Sequence, residues 1–142
     1  MKFRDKPSVS NPPLTPTAEP RRFSLKVALW LLDSPRLGDK PQVRHFAGRL
    51  LKQPAREGVV VAQSRLGQML CRECGNARDR RIGHELLRQA ARAGDCGAQL
   101  EYGRLCSRPE VNEPQQARHW LEQAAAKGST EAGQLLRKLP RG

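Results

Sequence analysis

Small and apolar residues recur along the middle of the chain at the spacing of an amphipathic helix. Ala62, Leu66, Met69 and Leu70 fall at positions i, i+4, i+7 and i+8, which share one helical face. The preceding run of three valines, residues 59–61, favours a strand by local propensity. The longer periodicity outweighs that preference and predicts a helix.

The same spacing returns when the chain is aligned with itself. A shift of about 36 residues places residues 58–70 on residues 94–106, and a shift of about 34 places residues 89–94 on residues 123–128. Residues 50–58 match residues 86–94 more weakly. The pattern predicts stacked two-helix units: a degenerate repeat at 23–57, repeats at 58–93 and 94–127, and a final capping helix at 128–139.

Proline, glycine and short polar residues divide the repeats into helices. Pro54 is predicted to kink or end its helix, because proline lacks the N–H of the helical hydrogen bond. Gly58 is predicted to turn the chain with a positive φ. The other predicted boundaries are Pro41 at a helix start, Asp79 as the N-cap of a helix over residues 80–93, Glu113 followed by Pro114, Ser129 as an N-cap, and Pro140 at the end.

The first 22 residues contain five prolines among serine, threonine and asparagine, with almost no apolar pattern. Such a segment buries too little surface to fold, so we predict a disordered arm. The arm is either an inert tail or a docking segment, and the sequence favours the tail.

The most hydrophobic run, residues 23–32, is interrupted by Lys26 and is too short to span a membrane. The pair Arg21-Arg22 before it faintly resembles a twin-arginine export signal, but no small-x-small cleavage site follows. We therefore predict the first helix of the degenerate repeat, with Trp30 at the position of Leu66, in a cytoplasmic protein.

Composition fits a solenoid better than a single globular core. The 142 residues are 37% hydrophobic and 4% aromatic, and a solenoid buries small residues between neighbouring repeats. The formal net charge of +12 indicates an acidic partner, a phosphate-bearing surface or nucleic acid. An arginine-rich composition is equally typical of biased genomic base composition, so the charge alone selects no function.

Cysteines and histidines are the residues with candidate chemistry. Cys71 and Cys74 have the spacing of a zinc or thiol-exchange pair, which Cys96 and Cys106 could complete. However, Cys106 replaces a core leucine and Cys96 lies in a turn between repeats, so buried or structural thiols are the better interpretation. The three histidines, His45, His84 and His119, lie on successive repeats about 10 Å apart, too far for a shared metal. We expect neither a metal nor a cofactor.

The combination of Ala-x-x-x-Leu/Tyr-Gly, an acidic helix start and Ala-Ala-x-x-Gly resembles the Sel-one-like repeat (SLR) family, a relative of tetratricopeptide solenoids. The residues that carry the resemblance are Ala62, Leu66, Gly67, Asp79, Ala90, Ala91, Gly94, Ala98, Tyr102, Gly103, Ala117, Trp120, Ala124, Ala125 and Gly128. The resemblance implies that these residues, apart from Asp79, pack repeats together. Gly83 departs from the pattern, since alanine stands at the matching Ala117.

This resemblance also implies an all-α, right-handed superhelix of about three helix-turn-helix repeats, acting as a non-enzymatic adaptor that binds proteins on its concave face. Within the first helices, polar residues recur and are predicted to form a partner-binding ladder, with arginines suited to carboxylates or phosphates. The ladder residues are Gln63, Gln68, Arg72, Gln99, Arg104 and Arg108. We predict an acidic protein partner; the alternative is a nucleic acid held by the arginine face.

Overall fold

A computed structural model describes residues 18–73 and 76–141, and these ranges contain helices and no strand. The predicted all-α class is thereby confirmed, including a helix rather than a strand at the valine run. None of the described helices is both long and apolar enough to cross a lipid bilayer. The helices are α1 (Ala18–Asp33), α2 (Pro41–Arg56), α3 (Val60–Glu73), α4 (Ala77–Arg92), α5 (Cys96–Cys106), α6 (Pro114–Ala126) and α7 (Thr130–Lys138).

Each helix packs on the next one in the chain, and short connections make such neighbours antiparallel. Direct contacts also join α3 to α5 and α5 to α7, so the odd-numbered helices lie closer together than the even-numbered ones. A stack with this asymmetry curves towards the odd-numbered helices. The molecule is therefore an α-solenoid whose inner helices are α1, α3, α5 and α7 and whose outer helices are α2, α4 and α6.

The first helix begins earlier than the sequence indicates. Residues 18–22, predicted as part of the arm, are helical, and the rest of the predicted arm lies outside the described residues. Pro20 is compatible with this start because backbone N–H groups of the first helical turn have no intrahelical acceptor. Trp30, predicted at the position of Leu66, is 63% exposed whereas Leu66 is buried. An outer helix, α2, covers Leu66, and no described helix precedes α1 to cover Trp30 in the same way.

Each outer helix ends in the same left-handed turn. Gly58, Gly94 and Gly128 have φ of +87°, +99° and +100°. In the middle turn, the N–H of Gly94 donates to Ala91 O and that of Asp95 to Ala90 O, each at 3.0 Å, which is a Schellman motif. Gly94 and Gly128 are exposed, so their role is to turn the chain rather than to pack repeats as predicted.

The helix starts predicted from proline and serine are correct, and the N-cap predicted at Asp79 is not. Pro41 and Pro114 lie at helix starts, and Ser129 accepts a hydrogen bond from the N–H of Ala132, as predicted. The fourth helix, however, is capped by Asn76, whose side chain accepts from the N–H of Arg78, and Asp79 lies inside its first turn. Asparagine and aspartate are comparable N-caps, and the sequence offered both three residues apart.

Pro54 neither ends its helix nor fixes its boundary, because α2 continues to Arg56. Proline within the last turn removes a single donor, and the Schellman turn that follows uses the Pro54 carbonyl as an acceptor for the N–H of Val59 at 3.0 Å. The prediction of a helix end at this residue is two residues early.

Buried apolar residues form three clusters rather than one core, and much of each cluster is alanine. The first joins α1, α2 and α3, the second joins α4 and α5, and the third joins α6 and α7. Each cluster therefore includes an outer helix and the inner helix that follows it. Of the predicted packing residues, Ala62, Ala90, Ala98 and Ala124 are fully buried, Ala91 and Leu66 nearly so, and Tyr102, Trp120 and Ala125 partly.

Within a repeat, glycine lets the inner and outer helices approach closely. A Cβ on Gly103 would lie 2.8 Å from Leu121 Cγ, and one on Gly67 would lie 2.8 Å from Leu87 Cγ. Gly83, the departure from the repeat pattern, faces Gly67, since its Cβ would lie 3.0 Å from the Gly67 carbonyl oxygen. The α3–α4 contact thus has glycine on both sides.

Gly103→Ala is predicted to destabilise the array by about 1–3 kcal/mol, because the new methyl group overlaps Leu121. Gly133→Ala is the matched control, since its Cβ would meet nothing within 4 Å and the residue lies inside α7. The free energy of unfolding of that control should rise by about 0.5–1 kcal/mol, because alanine loses less backbone entropy on folding than glycine does. Urea denaturation followed by circular dichroism measures both changes, and equal shifts of the two variants would contradict the close contact.

Candidate protein-interaction surfaces

Two of the three glutamines of the predicted ladder are inside the molecule. Gln63 is 7% exposed and Gln99 is 1% exposed, so neither can meet a partner as predicted. The prediction failed because a polar residue at helical spacing was assigned to the surface. A buried amide is stable only when its hydrogen bonds are made within the protein.

These hydrogen bonds join three helices at each of the two sites. Gln63 Nε2 donates to the Ala55 carbonyl at 3.3 Å and to Gln89 Oε1 at 3.0 Å, and thereby joins α3 to α2 and α4. Gln99, one repeat later, joins α5 to α4 and α6 in the same way. Its Nε2 donates to the Ala91 carbonyl at 3.1 Å and to Gln123 Oε1 at 3.0 Å.

Two of the ladder arginines are already paired with carboxylates of this chain. Arg72 on α3 and Arg104 on α5 both bind Glu101, and Arg104 also binds Glu131 on α7. Arg65 on α3 adds an ion pair of 2.7 Å with Asp33 at the end of α1. The concave face is therefore crossed by ion pairs that connect each inner helix to the next.

A signal for these pairs is present in the sequence. A glutamate follows each of the two arginines at a similar distance along the chain, Glu101 at 29 residues after Arg72 and Glu131 at 27 residues after Arg104. Of the remaining ladder residues, Gln68 donates to Ser64 Oγ at 3.2 Å, and Arg108 is exposed and makes no ion pair with a described residue. The position one repeat after Glu101 holds Leu135, which leaves Arg108 without an equivalent carboxylate.

The cysteines and histidines show no site chemistry within the described residues. No group of three histidine, cysteine or acidic side chains there could hold a metal ion, and Cys74 lies outside the described ranges. Cys106 is buried, and this burial, with the carboxylate of Glu113, raises the pKa of its thiol to about 11. Burial, followed by the charges of Arg108 and Arg80, lowers the pKa of His84 and so favours its neutral imidazole.

A groove of about 710 Å³ opens between the outer helices α2 and α4; we call it the α2–α4 groove. Its floor is apolar and comes from the inner helix α3, through Leu66, Met69 and Leu70. Ile82 and Leu86 of α4 line one wall. Its volume lies in the range of ligand-binding clefts, and its apolar lining could accept apolar side chains.

The opposite wall of the α2–α4 groove is basic. Arg49, Lys52 and Arg56 of α2 line it, are exposed, and make no ion pair with any described residue. The spacing of three and four residues places them along one face of α2. Unlike the inner arginines, these cations have no carboxylate of a described residue within ion-pair distance.

The charge of the chain is concentrated on these two outer helices. Helix α2 contains four basic residues and no acidic one, and α4 contains five basic and two acidic residues. Their joint net charge is +7, more than half of the +12 of the whole chain. The outer surface around the α2–α4 groove is therefore the strongly basic region of the molecule.

Comparison with known proteins identifies the repeat unit. Residues 60–95 and 97–129 match the family model described as Sel1 repeat, and each segment holds one inner and one outer helix. A solved structure, the Sel1 repeat protein from Oxalobacter formigenes, is similar with a TM-score of 0.66 and 26% identity. The similarity covers 87% of this chain and 36% of that protein, so this chain spans about a third of its length. The sequence matches no curated protein.

Gln99→Leu is predicted to lower the free energy of unfolding by about 1–3 kcal/mol, because it removes the two hydrogen bonds by which Gln99 joins α5 to α4 and α6. Gln134→Leu, at an exposed position of α7, is the control and should change it by no more than about 0.5 kcal/mol. Urea denaturation compares them, and unaltered stability of the first variant would mean that Gln99 faces solvent.

The Cys106 thiol is predicted to resist alkylation in the folded protein. Its pKa rises from 9.0 to about 11, so at pH 8 its thiolate fraction falls about 100-fold, and only the thiolate is nucleophilic. Iodoacetamide labelling, quantified by mass spectrometry of the peptide, should be slower by at least that factor than labelling in urea. Similar rates in both states would contradict the burial of this residue.

Proposed function

Since the chain belongs to the Sel1-like repeat family, we propose that it is a non-catalytic scaffold that binds an acidic partner protein. Proteins of this family generally act in protein–protein interactions. A solenoid offers a long surface made of successive repeats, which suits the binding of another macromolecule.

The observation that carries the proposal is the uneven distribution of charge. On the concave face, Arg72 and Arg104 are neutralised by Glu101 and Glu131. On the outer face, Arg49 and Lys52 have no carboxylate partner among the described residues. An acidic surface would supply the missing counter-charge, and charge complementarity of this kind favours both encounter and specificity. We therefore move the partner-binding surface from the predicted concave ladder to the outer helices α2 and α4.

A nucleic acid is the second candidate, because α4 also carries the exposed Arg78, Arg80 and Arg81. Binding through phosphate contacts of arginine would weaken steeply as the salt concentration increases. The apolar floor of the α2–α4 groove has no role in such binding, whereas a protein would use it. This difference makes a protein partner our first choice. The cytoplasmic location stays a prediction.

Reversal of the groove charges is predicted to abolish partner capture. The full chain is immobilised, incubated with nuclease-treated lysate of the cells that make it, and washed at about 0.15 M salt, where exposed charges still act over about 8 Å. An acidic protein should be retained by the wild type and lost with Arg49→Glu/Lys52→Glu. The control variant Lys26→Glu/Arg141→Glu has the same change of charge at exposed positions outside the groove and should retain it.

Two results would contradict the proposal. Loss of all binding after nuclease treatment would favour the nucleic acid. Equal weakening by the groove and control variants would show that net charge, rather than the surface of α2 and α4, determines binding.

A further inference from the structure

We propose that the α2–α4 groove holds an acidic amphipathic α-helix of the partner, with its apolar stripe on the groove floor and its carboxylates along α2. The inference rests on the proposed function and adds to it the binding mode.

The groove has the length of a helical segment. Its lining residues extend from Pro41 to Arg56, which are the ends of α2. At a rise of 1.5 Å per residue, this distance is about 22 Å. About four turns of a partner helix, or about 15 residues, fit that length. The volume of about 710 Å³ accommodates the side chains of one helical face rather than a whole helix.

The two long edges of the groove differ in chemistry. This difference specifies where a bound helix needs its acidic and its apolar residues. Arg49, Lys52 and Arg56 form one edge, while the other edge has Ile82 and Leu86, with Asn76, Arg78 and Asp79 at the start of α4. A helix lying between them would need carboxylates three or four residues apart on one side. Beside them it would need apolar residues at i, i+3, i+4 and i+7 for the floor, as in other helix-in-groove complexes.

Charge disfavours two other occupants of the groove, the N-terminal segment of this chain and a second copy of the protein. Residues 1–17 contain three basic residues and one acidic residue, so they would be repelled by the basic wall. A second copy would bring another net charge of +12 towards the same wall. An acidic segment of a different protein is the occupant that the charges favour.

The test uses the full chain and a fluorescent peptide of about 15 residues with leucines and glutamates at the spacings above, followed by anisotropy. A scrambled peptide of the same composition keeps the charge and destroys the amphipathic pattern. The designed peptide should bind at least about tenfold more tightly than the scrambled one.

Two single variants locate the site. Ile82→Glu should weaken binding of the designed peptide about tenfold, because it replaces an apolar side chain of the groove with a carboxylate. Val61→Glu is the matched control, since Val61 and Ile82 are each 43% exposed and Val61 lies outside the groove. Circular dichroism verifies folding, and Arg49→Glu/Lys52→Glu provides a second variant of the same site should Ile82→Glu fail to fold.

Each other outcome overturns the inference. Equal binding of both peptides would mean attraction by charge alone. Binding of a single-stranded oligonucleotide in preference to the peptide, with no effect of Ile82→Glu, would assign the surface to nucleic acid. Self-association in sedimentation that is lost in Ile82→Glu would assign the groove to a second copy. Failure of the peptide together with capture of an acidic protein through Arg49 and Lys52 would refute the helical mode and leave the scaffold function intact.

Discussion

The distance between the two helices of each repeat is the constraint on which the rest of the structure depends. Gly103 lies so close to Leu121, and Gly67 to Leu87, that one added methyl group would overlap the neighbouring helix. Close helices leave little room for large side chains, which accounts for the many buried alanines. The hydrophobic effect is then divided among three small clusters, none of which could stabilise a domain alone.

Because each cluster is small, specific polar contacts have more influence on how the repeats are arranged. Gln63 and Gln99 each join an inner helix to the outer helices on both sides. Glu101 lies between Arg72 and Arg104 and joins α3 to α5. Exposed ion pairs contribute little stability individually, but pairs in a row along the inner helices favour one register of stacking. The concave face is thus occupied by contacts that the array makes with itself.

The sequence was sufficient for features that depend on neighbours in the chain. Proline at Pro114, a serine N-cap at Ser129 and the turn at Gly58 act within a few residues, and all were predicted correctly. Repetition extended these local signals to the fold, since a two-helix unit that recurs must stack on itself. Trp30 shows the limit of this argument, because its burial depends on a preceding outer helix that no described residue provides.

Candidate binding residues were predicted less well, for a physical reason. Whether a glutamine faces solvent or a backbone carbonyl, and whether an arginine is free or paired, depends on groups 8 to 32 residues away in the chain. Repetition placed Gln63 and Arg72 in a ladder with Gln99 and Arg108 of the next repeat without specifying what lay opposite. The α2–α4 groove was missed because its floor and walls come from three helices.

The division between a neutralised inner face and a basic outer face leads to a view of binding that differs from the one implied by the resemblance. A partner approaching the concave face would have to compete with Glu101 for Arg72 and Arg104, and it would displace contacts between repeats. Arg49 and Lys52 on the outer face make no ion pair with the described part of the chain. Binding there would neutralise the charges of Arg49 and Lys52 and would cover the exposed Ile82 without loosening the stack. The same solenoid can therefore remain rigid on its inner side while its outer side meets the partner.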